Sequence, residues 1–314
     1  MTNTEISEYQ TKAVNKVSYA FACKDTGDTS HNTLAKMSEK KQTKLIRKNC
    51  VDTVIVEEPL QITLSWLEQG IVNNKVFTIT MRTPGDDYFL ITGLLHSEGI
   101  IKQLNHVESI QMAVEDIDGE AIDNEWLVTF TPGFIPDLSS LDRYTVSYSS
   151  CGLCGTTSLK SLQLKTEINL SFPEHKNIIE AESLLLLSSK MRRQQSLFDN
   201  TGGVHGAALF DQALNLQQVH EDIGRHNAVD KVIGSLLVSD KSPQVAPLWI
   251  LLVSGRISFE IVQKAIMAGI NVLMGVGAPS ALAIQAAQQF DLTLVGFASD
   301  KGFNVYHGDW RLTN

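Results

Sequence analysis

The sequence contains few cysteines and no long hydrophobic run. Four cysteines among 314 residues are too few for a disulfide scaffold, and no apolar run approaches the ~20 residues that a membrane-spanning helix needs. The first residues, MTNTEISEYQTKAVNK, lack the apolar core that follows a basic start in a secretory signal. These absences predict a cytoplasmic protein that does not bind a membrane.

Positive charge is also scarce. The chain has 26 lysines and arginines against 35 aspartates and glutamates, a formal net charge of −9. Proteins that bind nucleic acid or acidic membranes draw affinity from many positive charges, so neither partner is expected. The 43% hydrophobic content is typical of a globular protein, and the length suits two domains.

The N-terminal half is predicted to consist mainly of strands. Residues 1–44 are polar without sustained periodicity, which predicts a mobile extension outside the fold. Residues 45–150 form the predicted strand-rich domain, and its one helix follows Pro84 and Gly85, with Asp86 as N-cap. The predicted strands of this domain are VDTVIVEE, LQITLSW, KVFTITMR, ESIQMAV, EWLVTFTP and RYTVSYS.

The C-terminal half alternates strands with helices. Residues 151–170 contain a CGLCG loop and a linker, and residues 171–314 begin with a predicted helix over 180–198. The strands LWILLV, NVLMGV and LTLVGFA then alternate with the helices FEIVQKAIMAG and SALAIQAAQQF. This order predicts a largely parallel sheet covered on both faces, and hence an α/β fold with a three-layer C-terminal domain.

Small and polar residues follow the predicted parallel strands. Ser254, Gly255 and Arg256 come after LWILLV and are predicted to open a helix, whose free N–H groups suit a phosphate. Residues 277–280 follow the next strand and residues 299–302 the last, with Phe297 as a stacking face for a base. Each loop alone is an ordinary connection, but the three in series predict a nucleotide or polyphosphate pocket.

Two further polar clusters are candidates for anion binding. His205 follows a Gly-Gly pair that allows a tight turn, and Arg225 and His226 stand at a strand-to-helix junction. The simpler explanation is structural, with Asp222 or Asn227 capping the helix and Arg225 pairing with an acid. We keep all three basic residues as candidates.

Cys151 and Cys154 form the CGLCG motif, which suits a metal site, a disulfide switch or a sulfur acceptor. Structural zinc needs four ligands, and Cys23 and Cys50 are unconvincing partners. A thioredoxin-like pair needs a helix start, whereas this pair lies among glycines and serines. A thiolate in such a loop can accept sulfur as a persulfide, and the second thiol can assist its release.

Two alternatives remain open. His96-Ser97-Glu98 upstream of Cys151-x-x-Cys154 has the order found in zinc deaminases, although Ser150 replaces the proline of that signature. A zinc-dependent hydrolase is therefore one alternative. The other is a noncatalytic chaperone that binds a cofactor without using either thiol.

Several long motifs together resemble the FdhD-type formate dehydrogenase accessory sulfurtransferases of the FdhD/NarQ family. The resemblance spans roughly residues 45–310. It is carried by CGLCG, RTPGDDYFLITGLLHSEGII, FDNTGGVHGAALF, EDIGRHNAVDKVIG, SGRISFEIVQKAIMAGI and GAPSALAIQAAQQFDLTLVGFA.

The resemblance implies a function and a set of residues. A cysteine desulfurase would supply sulfur to Cys151, with Cys154 as the second cysteine of the motif. The sulfur would pass to the molybdenum or tungsten bis-pterin guanine dinucleotide cofactor (Mo-bis(molybdopterin guanine dinucleotide) for molybdenum), which activates formate dehydrogenase. No tightly bound metal is expected. The C-terminal half would share the cytidine deaminase fold, and the two similar ends of the cofactor favour a homodimer. The implied nucleotide contacts are Phe297, Ala298, Ser299, Asp300, Lys301 and Gly302.

Overall fold

A computed structural model describes most of the chain. It covers residues 9–21, 43–114, 121–138, 178–239 and 248–313, and the single positions 159, 162, 168, 170, 171, 175 and 176. The CGLCG loop and the predicted strand RYTVSYS lie outside the described residues. No helix within the described ranges is long and apolar enough to cross a bilayer.

Among its described residues, the N-terminal half contains two sheets and one α-helix, α1 (Asp87–Ser97). The strands of this half are β1 (Tyr9–Phe21), β2 (Thr43–Ile55), β3 (Glu58–Glu68), β4 (Ile71–Arg82), β5 (Val107–Val114) and β6 (Ala121–Phe130). β1 and β2 form an antiparallel pair, and the other four strands form a sheet in the order β4-β3-β6-β5.

β1 lies in the segment for which the sequence predicted a mobile extension. Its 13 residues pair with β2 along the whole length, from Tyr9 with Ile55 to Phe21 with Thr43. A strand of this kind is defined by its partner more than by its own hydrophobic alternation. The sequence pattern of residues 1–44 therefore did not reveal it.

The core of the N-terminal half lies between β3 and α1. Every second residue of β3, from Leu60 to Leu64, is buried, because successive strand side chains point to opposite faces. These residues pack with Leu90, Ile91 and Leu95 of α1. This packing fixes α1 against one face of the sheet.

In the described residues, the C-terminal half contains a six-stranded sheet between helical layers and a separate short pair of parallel strands, Ile179–Glu180 with Leu312–Thr313. Its helices are α2 (Leu187–Arg192), α3 (Ser196–Thr201), α4 (Arg225–Val238), α5 (Phe259–Met267) and α6 (Ala281–Phe290). Its strands are β7 (Ile179–Glu180), β8 (His205–Phe210), β9 (Leu216–Asp222), β10 (Ile250–Val253), β11 (Val272–Gly275), β12 (Thr293–Ser299), β13 (Gly302–His307) and β14 (Leu312–Thr313). Short 3₁₀ helices span Glu182–Leu186 and Asp309–Arg311 in this half and Leu104–His106 in the N-terminal half.

The large sheet has the strand order β13-β12-β11-β10-β8-β9. One face packs on α4, α5 and α6, and the other on α2 and the 3₁₀ turn before it. The predicted fold class, a strand-rich N-terminal part followed by a three-layer α/β/α part, is confirmed.

Two details of the prediction for this half were wrong. The sheet is mixed, because only β10–β11 and β11–β12 are parallel, while the two edge strands close antiparallel hairpins. The helix predicted over residues 180–198 is broken into a 3₁₀ turn, α2 and α3. The break before α3 falls at Gln195, whose φ of −87° and ψ of 78° are not helical.

The two halves meet where α1 crosses α4. A Cβ atom built at Gly93 would lie 1.9 Å from the carbonyl oxygen of Asp230, and one at Gly234 would lie 1.9 Å from that of Phe89. Only glycine allows two helix backbones to approach so closely. The crossing therefore depends on glycine at both positions.

Buried polar contacts surround this crossing. Lys264 pairs with Asp230 at 2.8 Å, and Ser97 of α1 donates a hydrogen bond to the same carboxylate at 2.9 Å. Lys231 pairs with Asp222 at 2.9 Å, and the Thr83 N–H donates to Asp222 at 3.1 Å. These contacts join the two halves into one unit.

Candidate functional site

A cavity of about 830 Å³ lies at the carboxyl ends of β10, β11 and β12. β8 runs antiparallel to β10, so its first residue, His205, lies at the same edge. The cavity is lined by residues between Ser188 and Val204, by Ser254, and by the end of β12. Its volume is within the range of small-molecule sites, and its place in the sheet is where α/β proteins bind ligands.

Ser254 and His205 lie side by side in this cavity. The Ser254 hydroxyl accepts a hydrogen bond from the Gly206 N–H at 2.9 Å, and Nδ1 of His205 lies 3.4 Å from the same oxygen. Burial, and then the neighbouring Arg225, lower the pKa of His205. The imidazole is therefore neutral at physiological pH and offers one donor and one acceptor.

Positive charge reaches the cavity from Arg192 and Arg193, at the end of α2. The Arg192 guanidinium lies 4.5 Å from the centre of the Phe198 ring and also pairs with Asp199. Sequence reasoning missed both arginines because it assigned their segment to one amphipathic helix. The adjacent basic pair was the available signal.

The predicted helix start at Ser254, Gly255 and Arg256 was wrong, because α5 begins at Phe259. The loop instead packs against the one after β11, where the Gly277 N–H donates to the Gly255 carbonyl at 3.1 Å. Ser254 lines the cavity, whereas Gly255 and Arg256 are not among its described lining residues.

The segment after β12 is a hairpin turn into β13 and not a helix entry. The Ser299 hydroxyl donates to the Gly302 carbonyl at 2.9 Å and accepts from the Lys301 N–H at 3.3 Å. Ala298, Ser299 and Asp300 line the cavity, while Phe297, Lys301 and Gly302 are not among the described lining residues. Phe297 is 50% exposed and has a φ of 56°, which is uncommon for a residue other than glycine.

Arg225 and His226 form the first turn of α4, next to the cavity. A Cβ atom built at Gly255 would lie 3.4 Å from Nδ1 of His205 and 3.6 Å from Cδ of Arg225, so these two side chains flank the same loop. His226 lies 3.2 Å from the Ser258 hydroxyl, and burial lowers its pKa to about 4. At neutral pH, Arg225 therefore carries the charge of this pair.

The remaining polar residues of the second cluster serve the structure. One oxygen of Asp222 accepts from the Gly224 N–H at 2.8 Å and from the Asn227 side chain at 3.1 Å. The predicted capping of α4 by Asp222 or Asn227 was wrong, because no side chain among the described residues caps the start of this helix. Glu221 accepts hydrogen bonds from the Leu197 and Phe198 N–H groups, and burial raises its pKa. Their contacts with other elements are not visible in the sequence.

Two further predictions concern His96 and Asp86 in the N-terminal half. His96 is buried, and its Nε2 lies 2.9 Å from the Met267 carbonyl oxygen. Asp86 precedes α1 but makes no side-chain cap, because its carboxylate binds Nδ1 of His220 at 2.8 Å. Within the described ranges, no cluster of three or more His, Cys, Asp or Glu residues could hold a metal. Cys151 and Cys154 lie outside them.

The fold and the cavity define a two-part α/β protein with a ligand-sized site at the carboxyl edge of its mixed sheet. The model of the FdhD/NarQ family matches residues 55–313, and the chain belongs to this family. A relative from Streptomyces avermitilis is 41% identical over 89% of this chain and 97% of its own length. One from Saccharolobus solfataricus is 38% identical over 83% and 91%, and both are named sulfur carrier protein FdhD.

A solved structure shows the same fold. It is described as a formate dehydrogenase accessory protein from Desulfotalea psychrophila, and its TM-score with this chain is 0.62 at 21% sequence identity. The match covers 96% of this chain and 99% of the other. The architecture therefore extends across both halves.

Proposed function

We propose that this protein is a sulfur carrier, a sulfurtransferase required for the maturation of formate dehydrogenase. The single observation that carries the proposal is the sequence similarity, over more than four fifths of the chain, to relatives named sulfur carrier protein FdhD. The CGLCG motif supplies the chemistry that such a carrier needs. We assign the protein to the cytoplasm, as a homodimer.

Cys151 is the proposed acceptor of sulfur from a cysteine desulfurase. Its thiolate attacks the outer sulfur of the donor's cysteine persulfide, the donor S–S bond breaks, and the donor cysteine leaves as a thiolate. Cys151 then carries the sulfur as its own persulfide. This step is a thiol exchange and needs no oxidant.

Cys154 is the proposed releasing group. Its thiolate attacks the inner sulfur of the Cys151 persulfide, which forms a Cys151–Cys154 disulfide and frees the outer sulfur as hydrosulfide. A cellular dithiol reductant then restores both thiols. Gly152 between the two cysteines and Gly155 directly after them favour the close approach that a disulfide requires.

The proposed recipient is the molybdenum or tungsten bis-pterin guanine dinucleotide cofactor, bound as a substrate. We assign one of its nucleotide ends to the 830 Å³ cavity. Arg192, Arg193 and Arg225 would meet its phosphates, because guanidinium groups suit phosphate oxygens. Ser254, His205 and Asp300 would supply hydrogen bonds to the rest of the nucleotide.

The Cys151→Ala variant tests the proposal. We expect it to abolish activation of formate dehydrogenase in a strain that depends on this protein, because the acceptor thiol is gone. Incubation of the wild type with desulfurase and cysteine should add one sulfur, ~32 Da, to the Cys151 peptide. Non-reducing mass spectrometry measures this adduct, and Cys50→Ala, which removes a different free cysteine, is the matched control.

The other outcomes point to other functions. Full activation with Cys151→Ala would contradict sulfur transfer and favour a noncatalytic chaperone for the cofactor. One zinc ion per chain in the purified protein, lost in a Cys151→Ala/Cys154→Ala variant, would instead favour a zinc hydrolase.

A further inference from the structure

Glu221, near the end of β9, makes contacts unlike those of its neighbours. Its side chain is buried, with the residue 9% exposed. Its Oε2 accepts the Leu197 N–H at 2.8 Å, and its Oε1 accepts the Phe198 N–H at 3.0 Å. Both oxygens of one carboxylate therefore hold the backbone of a different element.

The element that Glu221 holds is α3. The first N–H groups of a helix have no partner within the helix and need a cap. Gln195, at the N-cap position of α3, makes no side-chain cap hydrogen bond. Glu221 supplies this cap from β9, and its negative charge also suits the positive end of a helix.

α3 and the residues around it form one wall of the cavity. Phe198, Gly202 and Gly203 line it, together with Gln195 just before the helix. Arg192 packs on the Phe198 ring, so the position of α3 also affects where this arginine lies. Glu221 itself is not among the described lining residues.

We propose that Glu221 is a positioning residue for the cavity, because its carboxylate holds α3 in the place where that wall can bind an anionic nucleotide. The inference rests on the proposed function, since it takes the guanine nucleotide end of the cofactor as the occupant. Glu221 acts through Phe198 and Arg192 and touches no ligand itself.

Binding of guanosine diphosphate by the full chain tests this role. In the Glu221→Gln variant, the side-chain oxygen still accepts one of the two N–H groups of α3. The NH₂ group faces the other N–H and cannot accept it, so one charge-assisted hydrogen bond is lost. We expect GDP to bind about tenfold more weakly, as measured by isothermal titration calorimetry. Loading of sulfur onto Cys151 by the desulfurase should proceed at the wild-type rate, because this step does not use the cavity.

Asp87→Asn is the matched control. It replaces a buried carboxylate whose two oxygens also accept two hydrogen bonds, at 2.9 and 3.0 Å from Arg82, in the N-terminal half. We expect it to lower the melting temperature without changing the affinity for GDP. A general loss of stability would affect both variants, whereas a positioning role affects GDP binding only in Glu221→Gln.

The outcomes separate this inference from the proposed function. Wild-type affinity for GDP in Glu221→Gln would overturn the role of Glu221 alone. Failure of the wild-type protein to bind GDP would overturn the nucleotide site and this inference together. If Glu221→Gln does not fold, Glu221→Asp, whose carboxylate is one methylene further from α3, is expected to bind GDP several-fold more weakly, and wild-type affinity there would also overturn the role.

Discussion

At the scale of single residues, burial decides the charge of His226. Its pKa of about 4 in the folded protein lies well below the ordinary histidine pKa of 6.5. The folded state therefore binds fewer protons than the unfolded state between these two pH values. By linkage, this residue makes the protein less stable as the pH falls through that window.

We therefore expect His226→Gln to reduce the acid sensitivity of folding. The urea midpoint of the wild type should fall between pH 6.5 and pH 4, and that of the variant should fall less steeply. Some slope should remain, because burial also lowers the pKa of His96 and His205. Equal slopes in the two proteins would contradict the assignment.

Single residues also show which parts of the site the sequence could and could not predict. Motif patterns selected Ser254, His205 and Asp300, which line the cavity. They could not select Glu221, because it acts through the backbone of α3. This contact joins positions that are distant in the chain, and no local pattern encodes it.

At the scale of elements, the crossing of α1 and α4 leaves the least room for a side chain among the described glycine positions. Gly93→Ala would place a methyl group 1.9 Å from the Asp230 carbonyl oxygen, so the helices would have to move apart. We expect a loss of about 3 kcal/mol or more in the free energy of unfolding, at the upper end of overpacking costs. Urea denaturation measures it.

Gly302→Ala provides the comparison for this stability measurement. Nothing lies within 4 Å of a Cβ atom at this position. The change in unfolding free energy should stay within about 1 kcal/mol, as for most exposed substitutions. Equal losses in Gly93→Ala and Gly302→Ala would show that the crossing has more room than the structure indicates.

The order of elements in the C-terminal half was predictable, because apolar strands and amphipathic helices alternate there with clear turns. The antiparallel direction of the edge strands was not predictable. For example, the turn that joins β12 to β13 has a sequence that also suits a strand-to-helix loop. Small polar residues such as those of SDKG serve both purposes. Pairing with a neighbouring strand decides between them.

At the scale of the whole molecule, the ion pair of Asp230 and Lys264 helps to unite the two halves. Asp230 is 1% and Lys264 6% exposed, and Ser97 of α1 shares the carboxylate. Asp230→Ala would leave the lysine ammonium buried without its counterion. We expect a loss of about 3–5 kcal/mol in unfolding free energy.

The double variant Asp230→Ala/Lys264→Met separates charge from packing. Because it removes both charges, it should be more stable than Asp230→Ala.

The four tryptophans can report whether the two halves unfold together. Trp66 and Trp126 report on the N-terminal half, and Trp249 and Trp310 report on the C-terminal half. Single-tryptophan versions of the wild type should unfold at one urea midpoint, and two separate midpoints would contradict a single cooperative unit.

The glycine contact between α1 and α4 has a consequence for how sulfur can travel. Helices that touch through long side chains can slide, because rotamers absorb the displacement. At Gly93 and Gly234 there is no side chain to do so, and shear would drive one backbone into the carbonyl groups of the other. The two halves are thus held in register at this junction. In the sulfur transfer that we propose, the donor and the recipient must therefore reach Cys151 without movement of the halves against each other there.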